Sequence, residues 1–314
     1  MTRQKIILDC DPGHDDAIAI LLAARSPRLD LRAITVVAGN QTLEKTLNNA
    51  LRVCEFAGIR DVPIAAGMSR PLVREQIIAG NIHGASGLDG PHLPPPTLEP
   101  VTTHAVDLII REVLAAPDEI ILVPVGPLTN IASALIREPR IAPRLMRIVL
   151  MGGGVTKGNT TPVAEFNIHA DPEAAHVVFS SGVPLTMVGL DVTHQSIPSA
   201  HDRQRIRDIR TPVAGLVDEL LNFFGQTYRR RFGFAGPPIH DACAVAQVIA
   251  PGTVRTRRMN VVVETRGTYT YGMTVCDVHG VTGREPNVDV GLELDRDRFW
   301  DLLIDGLGRY GQLA

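Results

Sequence analysis

The segment Asp9-Cys10-Asp11-Pro12-Gly13-His14-Asp15-Asp16 sets four carboxylates within eight residues, between the apolar runs Ile6-Ile7-Leu8 and Ala17-Ile18-Ala19-Ile20. Like charges repel, so so dense a cluster calls for a bound cation, and hard carboxylate oxygens suit Ca2+ or Mg2+. Asp9 and Asp11 are expected on one face of a strand, because strand side chains alternate. Pro12-Gly13 turns the chain, and Asp15 and Asp16 fall in the first turn of a helix, where the dipole favours negative charge. Simple helix capping would account for one of these acids but not for the set. Asp11 and Asp16 are placed to converge from the two sides of the turn.

Two further stretches carry chemistry. Asn159, Glu165 and Asn167 follow a glycine-rich segment, and amide and carboxylate side chains together suit the vicinal hydroxyls of a sugar; the competing reading is a loop held by Asn turns. His240-Asp241 opens the apolar helix Ala242–Ile249. A histidine beside a metal-binding acid, with an ordinary pKa near 6.5, suits a proton donor at neutral pH. Other chemistries fit less well. Asp-x-Asp after a strand also begins haloacid-dehalogenase-type phosphatases, but Gly13 stands where those want Thr or Val. There is no Gly-x-x-x-x-Gly-Lys-[Ser/Thr] phosphate loop and no Gly-x-Ser-x-Gly elbow.

The elements that must hold these residues alternate. Strands are expected at Lys5–Asp9, Leu31–Val37, Val62–Ala65, Ile120–Pro124, Arg147–Met151 and Pro184–Gly189. Helices are expected at Asp15–Ala24, Leu43–Ala57, Thr103–Ala115, Asn130–Arg137 and Pro172–Ser180, and Thr193–Phe234 reads as largely helical. This predicts an α/β fold: an open, mostly parallel sheet with helices on both faces. Such folds bind ligands beyond the C-terminal ends of their strands, where Asp9-Cys10-Asp11, Gly39-Asn40, Val125-Gly126 and Met151-Gly152 collect. Ile77–Pro100, rich in Gly, Pro and His and holding His83, reads as a long active-site loop. With no repeat or low-complexity linker, one domain over 1–314 is expected.

Composition narrows the class. Hydrophobic residues make up 45% of 314, enough for a large core, and the net charge of −3 argues against a nucleic-acid partner. No apolar run is long enough for a membrane span. Four scattered cysteines without a Cys-x-x-Cys pair suit a reducing compartment, so a cytoplasmic location is expected.

Taken together, Asp9-Cys10-Asp11-Pro12-Gly13-x-Asp15-Asp16, Gly39-Asn40-Gln41-Thr42, His83-Gly84-x-x-Gly87-Leu88, Gly126-Pro127-Leu128-Thr129-Asn130, Met151-Gly152-Gly153, Glu165-Phe166-Asn167 and His240-Asp241 resemble, in order, the signatures of the inosine–uridine-preferring nucleoside hydrolases, with nearest agreement to the bacterial pyrimidine-preferring group. The resemblance implies a nucleoside hydrolase fold, related to the Rossmann type, and Ca2+-dependent cleavage of the N-glycosidic bond of uridine, cytidine or inosine. It implies Ca2+ ligands at Asp11, Asp16, Asp241 and the carbonyl of Val125, with Asp11 as general base. Asp15, Asn40, Met151, Asn159, Glu165 and Asn167 would hold the ribose, with Phe166 packed behind it and Asp9 orienting its neighbours. His240 would donate a proton to the leaving base, His83 would help to bind or protonate it, and Gln226 and Tyr228 would contact it. Purine-specific relatives stack the base between tryptophans; here the lone Trp300 lies outside every motif. A small-molecule ribonucleoside is the implied partner, and a homo-oligomer, tetramer or dimer, the implied assembly. Alternatives are a hydrolase of another N-riboside, such as nicotinamide riboside, and a metal-dependent ribonucleoside-binding protein without turnover.

Overall fold

The computed structural model describes residues 3–311. Its first half runs β1 (Gln4–Cys10), α1 (His14–Arg25), β2 (Leu29–Val36), α2 (Leu43–Phe56), β3 (Ile64–Ala66), α3 (Gly80–His83), α4 (Ala105–Ala115), β4 (Ile120–Pro124), α5 (Thr129–Arg137) and β5 (Arg147–Met151). The chain continues through α6 (Phe166–Ala170), α7 (Pro172–Phe179), β6 (Leu185–Val188), α8 (Leu190–Thr193), α9 (Ala200–Asp208), α10 (Pro212–Phe232) and α11 (His240–Ile249). It ends with β7 (Val254–Met259), β8 (Val261–Val263), β9 (Thr274–Cys276), β10 (Val288–Leu294) and α12 (Arg296–Gly308).

Eight strands form one sheet in the order β3-β2-β1-β4-β5-β6-β10-β7, parallel throughout except where β7 runs antiparallel to β10. The expected mostly parallel sheet is therefore present, and a short β8–β9 ribbon stands apart from it. Alternation along the strands divides the core. Ile6, Leu8, Ile121, Val123 and Val149 pack on the side of α1, α2, α11 and α12, while Ile7, Ile120, Leu122, Ile148 and Leu150 pack on the side of α4, α5 and α7. Burial on both faces is why these strands read as continuous apolar runs rather than alternating ones.

The strand order reverses between β1 and β4, and both strands point their C-terminal ends the same way. The amide of Val125 donates to the carbonyl of Asp9 at 2.7 Å, clamping the two ends together. The acids thus stand at the crevice this kind of sheet reserves for ligands. Two expectations need correction. Ile77–Pro100 is not wholly loop, since α3 forms within it. The stretch 193–234 is two helices, α9 and α10, separated by a turn in which Arg210 has φ 57° and Thr211 caps α10. The last four strands lack the clean alternation with helices that marked the first six.

Candidate active site

The first turn beyond β1 is built around carboxylates. Asp9 ends the strand on the α5 side, where Oδ1 accepts from Thr35 Oγ1 at 2.5 Å and from Asn130 Nδ2 at 2.8 Å; its Oδ2 is buried without a hydrogen-bond partner. Asp11 lies past the strand end, so strand alternation does not govern it. Its Oδ2 accepts from the Asn40 amide at 2.6 Å. A Cβ on Gly39 would land on Asp11 Oδ2, and one on Gly126 would lie 2.6 Å from Oδ1, so two glycines from separate strand ends make the space this carboxylate fills. Asp16 accepts from the amides of Asp11 at 3.0 Å and Gly13 at 2.9 Å and from Asn40 Nδ2 at 3.2 Å. It therefore caps α1 and also faces the other acids.

Oxygens of Asp15, Asp16 and Asp241 lie within 4.8 Å of one another, all buried. Two oxygens on opposite sides of a Ca2+ ion stand about 4.8 Å apart, so this spacing suits one shared cation. Asp11 stands beside this trio, hydrogen-bonded to Asp16. Among the described residues no Lys, Arg or His forms an ion pair with any of the four. Burial, then the charge of Asp16, pushes the carboxyls of Asp11 and Asp15 well above their ordinary range. Burial, then Asp15, does the same to Asp241. Asp9 is raised by burial to about 7. Repulsive, buried and all oxygen, the donor set fits a hard divalent cation.

Above the acids opens a cavity of about 300 Å³. All the residues singled out in the sequence line it except Asp11 and Asp16, which lie beneath, and Gln226, which is exposed on α10 and does not reach it. One side is polar. Asn167 Nδ2 donates to the carbonyls of Val125 at 2.7 Å and Met151 at 3.2 Å, so the Val125 oxygen keeps one lone pair for a ligand. Glu165 caps α6, accepting from the amides of Gly153, Asn167 and Ile168 at 2.9–3.2 Å, and burial raises its carboxyl to about 7. Asn159 Oδ1 takes the Phe166 amide at 2.9 Å, leaving its Nδ2 free among the described residues. Phe166 is half-buried and forms part of the wall, rather than packing behind it.

The other side is aromatic. Phe224, Tyr228, Arg231 and Phe232 reach the cavity from one stripe of α10, at the i, i+4, i+7, i+8 spacing of a helix face. Tyr228 OH lies 2.7 Å from His240 Nε2, and Thr193 Oγ1 lies 2.7 Å from His240 Nδ1. Burial lowers His240 to about 3, and burial with the nearby His14 and His240 lowers His83 well below its ordinary value. This corrects the expectation of a histidine titrating near neutrality: both rings are neutral at physiological pH. The helix stripe was the signal for Phe224 and Phe232; Thr193 and Ile77 and Ile78, at the mouth, gave none.

Residues 6–301 match the model of the family described as inosine-uridine preferring nucleoside hydrolase. The chain is 50% identical over 303 residues to the pyrimidine-specific ribonucleoside hydrolase RihB of Escherichia coli K12, covering 96% of each chain. It is similar in structure to a purine-preferring ribonucleoside hydrolase from Gardnerella vaginalis, with TM-score 0.92, 33% identity and coverage of 99% and 100%. The plant nucleoside hydrolase PpNRh1 gives TM-score 0.88 at 32% identity, covering 97% and 98%. An α/β sheet with its acids at the switch point thus belongs to an N-glycosyl hydrolase. The chain is a member of the inosine-uridine preferring nucleoside hydrolase family.

Proposed function

We propose that the protein hydrolyses pyrimidine ribonucleosides, uridine and cytidine and to a lesser extent inosine, to free base and ribose, in a Ca2+-dependent reaction in the cytoplasm. The observation that carries this reading is the buried carboxylate cluster without a counter-ion, opening into a cavity whose far wall is neutral imidazole and phenol. The pyrimidine preference is supported by the 50% identity to a pyrimidine-specific relative against 33% to a purine-preferring one. Trp300 is buried in the core and away from the cavity, so no tryptophan stack for a purine exists among the described residues. Four free cysteines support the cytoplasmic reading, and no described helix is long and apolar enough to cross a membrane.

Asp11, Asp15, Asp16, Asp241 and the Val125 carbonyl would hold the cation, which when bound offsets their repulsion and acidifies a water. Asp11 takes a proton from the attacking water as its oxygen bonds to C1′ and the C1′–N bond breaks. The electron pair of that bond leaves with the base, which takes a proton and departs neutral. Asn159, Glu165 and Asn167 grip the ribose and face its developing positive charge with carboxylate and amide oxygens. With His240 neutral, the proton reaches the base from the Tyr228 hydroxyl, which His240 Nε2 can resupply across 2.7 Å. The test is base release from uridine, cytidine, inosine, adenosine and nicotinamide riboside. Rapid release from the two pyrimidines supports the reading; release from nicotinamide riboside alone, or binding without release, overturns it.

A further inference from the structure

His14 opens α1 between the acids and the aromatic wall, and neither uses it. It is wholly buried, with its ring stacked on Phe223 at 5.0 Å and Phe224 at 5.3 Å. Its Nε2 lies 2.8 Å from the Asp89 carbonyl oxygen. A carbonyl only accepts, so this nitrogen carries the proton. The carbonyl is held in place by its own loop. The Asp89 carboxylate accepts from the amides of Ala85 at 2.9 Å and Ser86 at 3.0 Å, and Gly84, Gly87 and Gly90 adopt φ of 84°, 84° and 115° to close the turn. A Cβ at Gly90 would also come within 2.8 Å of Phe223.

His14 Nδ1 lies 3.1 Å from His83 Nδ1. Enclosed by phenyl rings and without a carboxylate partner, His14 holds one proton, already placed on Nε2, so its Nδ1 is a lone pair. Two lone pairs do not face each other at that distance, so His83 Nδ1 carries a proton and donates it to His14. His83 Nε2 is then also a lone pair. His83 lines the cavity, and its Nε2 has no hydrogen-bond partner among the described residues. The backbone amide of residue 14 points at the same His83 Nδ1, but from 3.3 Å. With the His14 ring absent, that amide would be the remaining partner, and it would select the opposite tautomer.

We infer that His14, with the Asp89 carbonyl behind it, is a positioning residue that fixes His83 as a hydrogen-bond acceptor for an N–H of the nucleoside's base. This rests on the reading of the cavity as a ribonucleoside site. Uracil in uridine offers one such group, N3–H, and 3-methyluridine has none. His83 therefore selects the base and does not protonate it.

The first test is nitrogen NMR of the protein carrying 15N-histidine. The expected result is a proton on Nδ1 of His83 and on Nε2 of His14, and a proton moved to Nε2 of His83 in His14→Phe, which keeps the ring stack. The second is kcat/KM for uridine against 3-methyluridine, each relative to 4-nitrophenyl riboside on the same protein. The ratio is expected at about tenfold or more in the wild type and within about twofold of unity in His14→Phe. A wild-type His83 protonated on Nε2 overturns the inference, as does an undiminished ratio in a variant that still cleaves 4-nitrophenyl riboside. If the wild type cleaves no riboside at all, the hydrolase reading fails, while the tautomers still stand or fall by NMR.

Discussion

The floor and the far wall of the cavity are built in opposite ways. The floor is a set of charges held by backbone: Asp11 by the Asn40 amide, Asp16 by the amides of Asp11 and Gly13, with Gly39 and Gly126 leaving the room. The wall is a set of neutral rings held by one another: His14 against His83, Phe223 and Phe224, and Tyr228 against His240. A floor fixed by backbone can position a cation and a water but cannot adapt. A wall of side chains from α3, α10 and α11 can change its base preference without disturbing the floor. Catalysis is expected to fail with the floor, and specificity to drift with the wall.

The largest effect is expected at Asp11. Asp11→Ala removes the base and a cation contact, and kcat for uridine should fall by about 10⁴-fold or more with KM changed far less. Survival of kcat within tenfold would break the division between floor and wall. Next come the glycines. Gly39→Ala or Gly126→Ala should displace the Asp11 carboxylate and cost about 10²-fold in kcat, while circular dichroism stays native. Tyr228→Phe tests the wall. It should lower kcat for uridine by roughly 10- to 100-fold and leave 4-nitrophenyl riboside, whose leaving group needs no proton, nearly untouched. Equal losses on both substrates would move Tyr228 from proton delivery to structure.

Much of the floor was legible in the sequence because its acids are contiguous and of one chemical type, and because a strand-to-helix turn is a local event. The wall was not legible in the same way. Tyr228 and His240 are 12 residues apart and meet only because α10 folds back on α11, and Thr193, which fixes the other nitrogen of His240, comes from a helix of four residues. Burial also changes what a residue type means. A histidine read as titrating near 6.5 is driven to about 3 by desolvation, which periodicity cannot report. The sheet's first six strands followed their apolar runs. β7 has four exposed residues in a row between buried ends, so its place beside β10 is set by pairing rather than by pattern.

The smallest effect sharpens the comparison at the polar side. Glu165 is raised from 4.5 to about 7, so the folded cation-free protein holds its proton more tightly than the unfolded chain. That contribution is fully present below pH 4.5 and is lost as pH rises through 7, at most about 3 kcal/mol. The melting temperature of chelated protein should therefore fall between pH 5 and pH 8, and Glu165→Gln should flatten the slope. An unchanged slope would place the proton elsewhere in the cluster.

The most direct test of the whole account is uracil release from uridine by protein stripped with a chelator and then titrated with Ca2+. The account predicts that stripping abolishes turnover and that about one Ca2+ per chain restores it. Full activity in protein shown to be free of metal would contradict it.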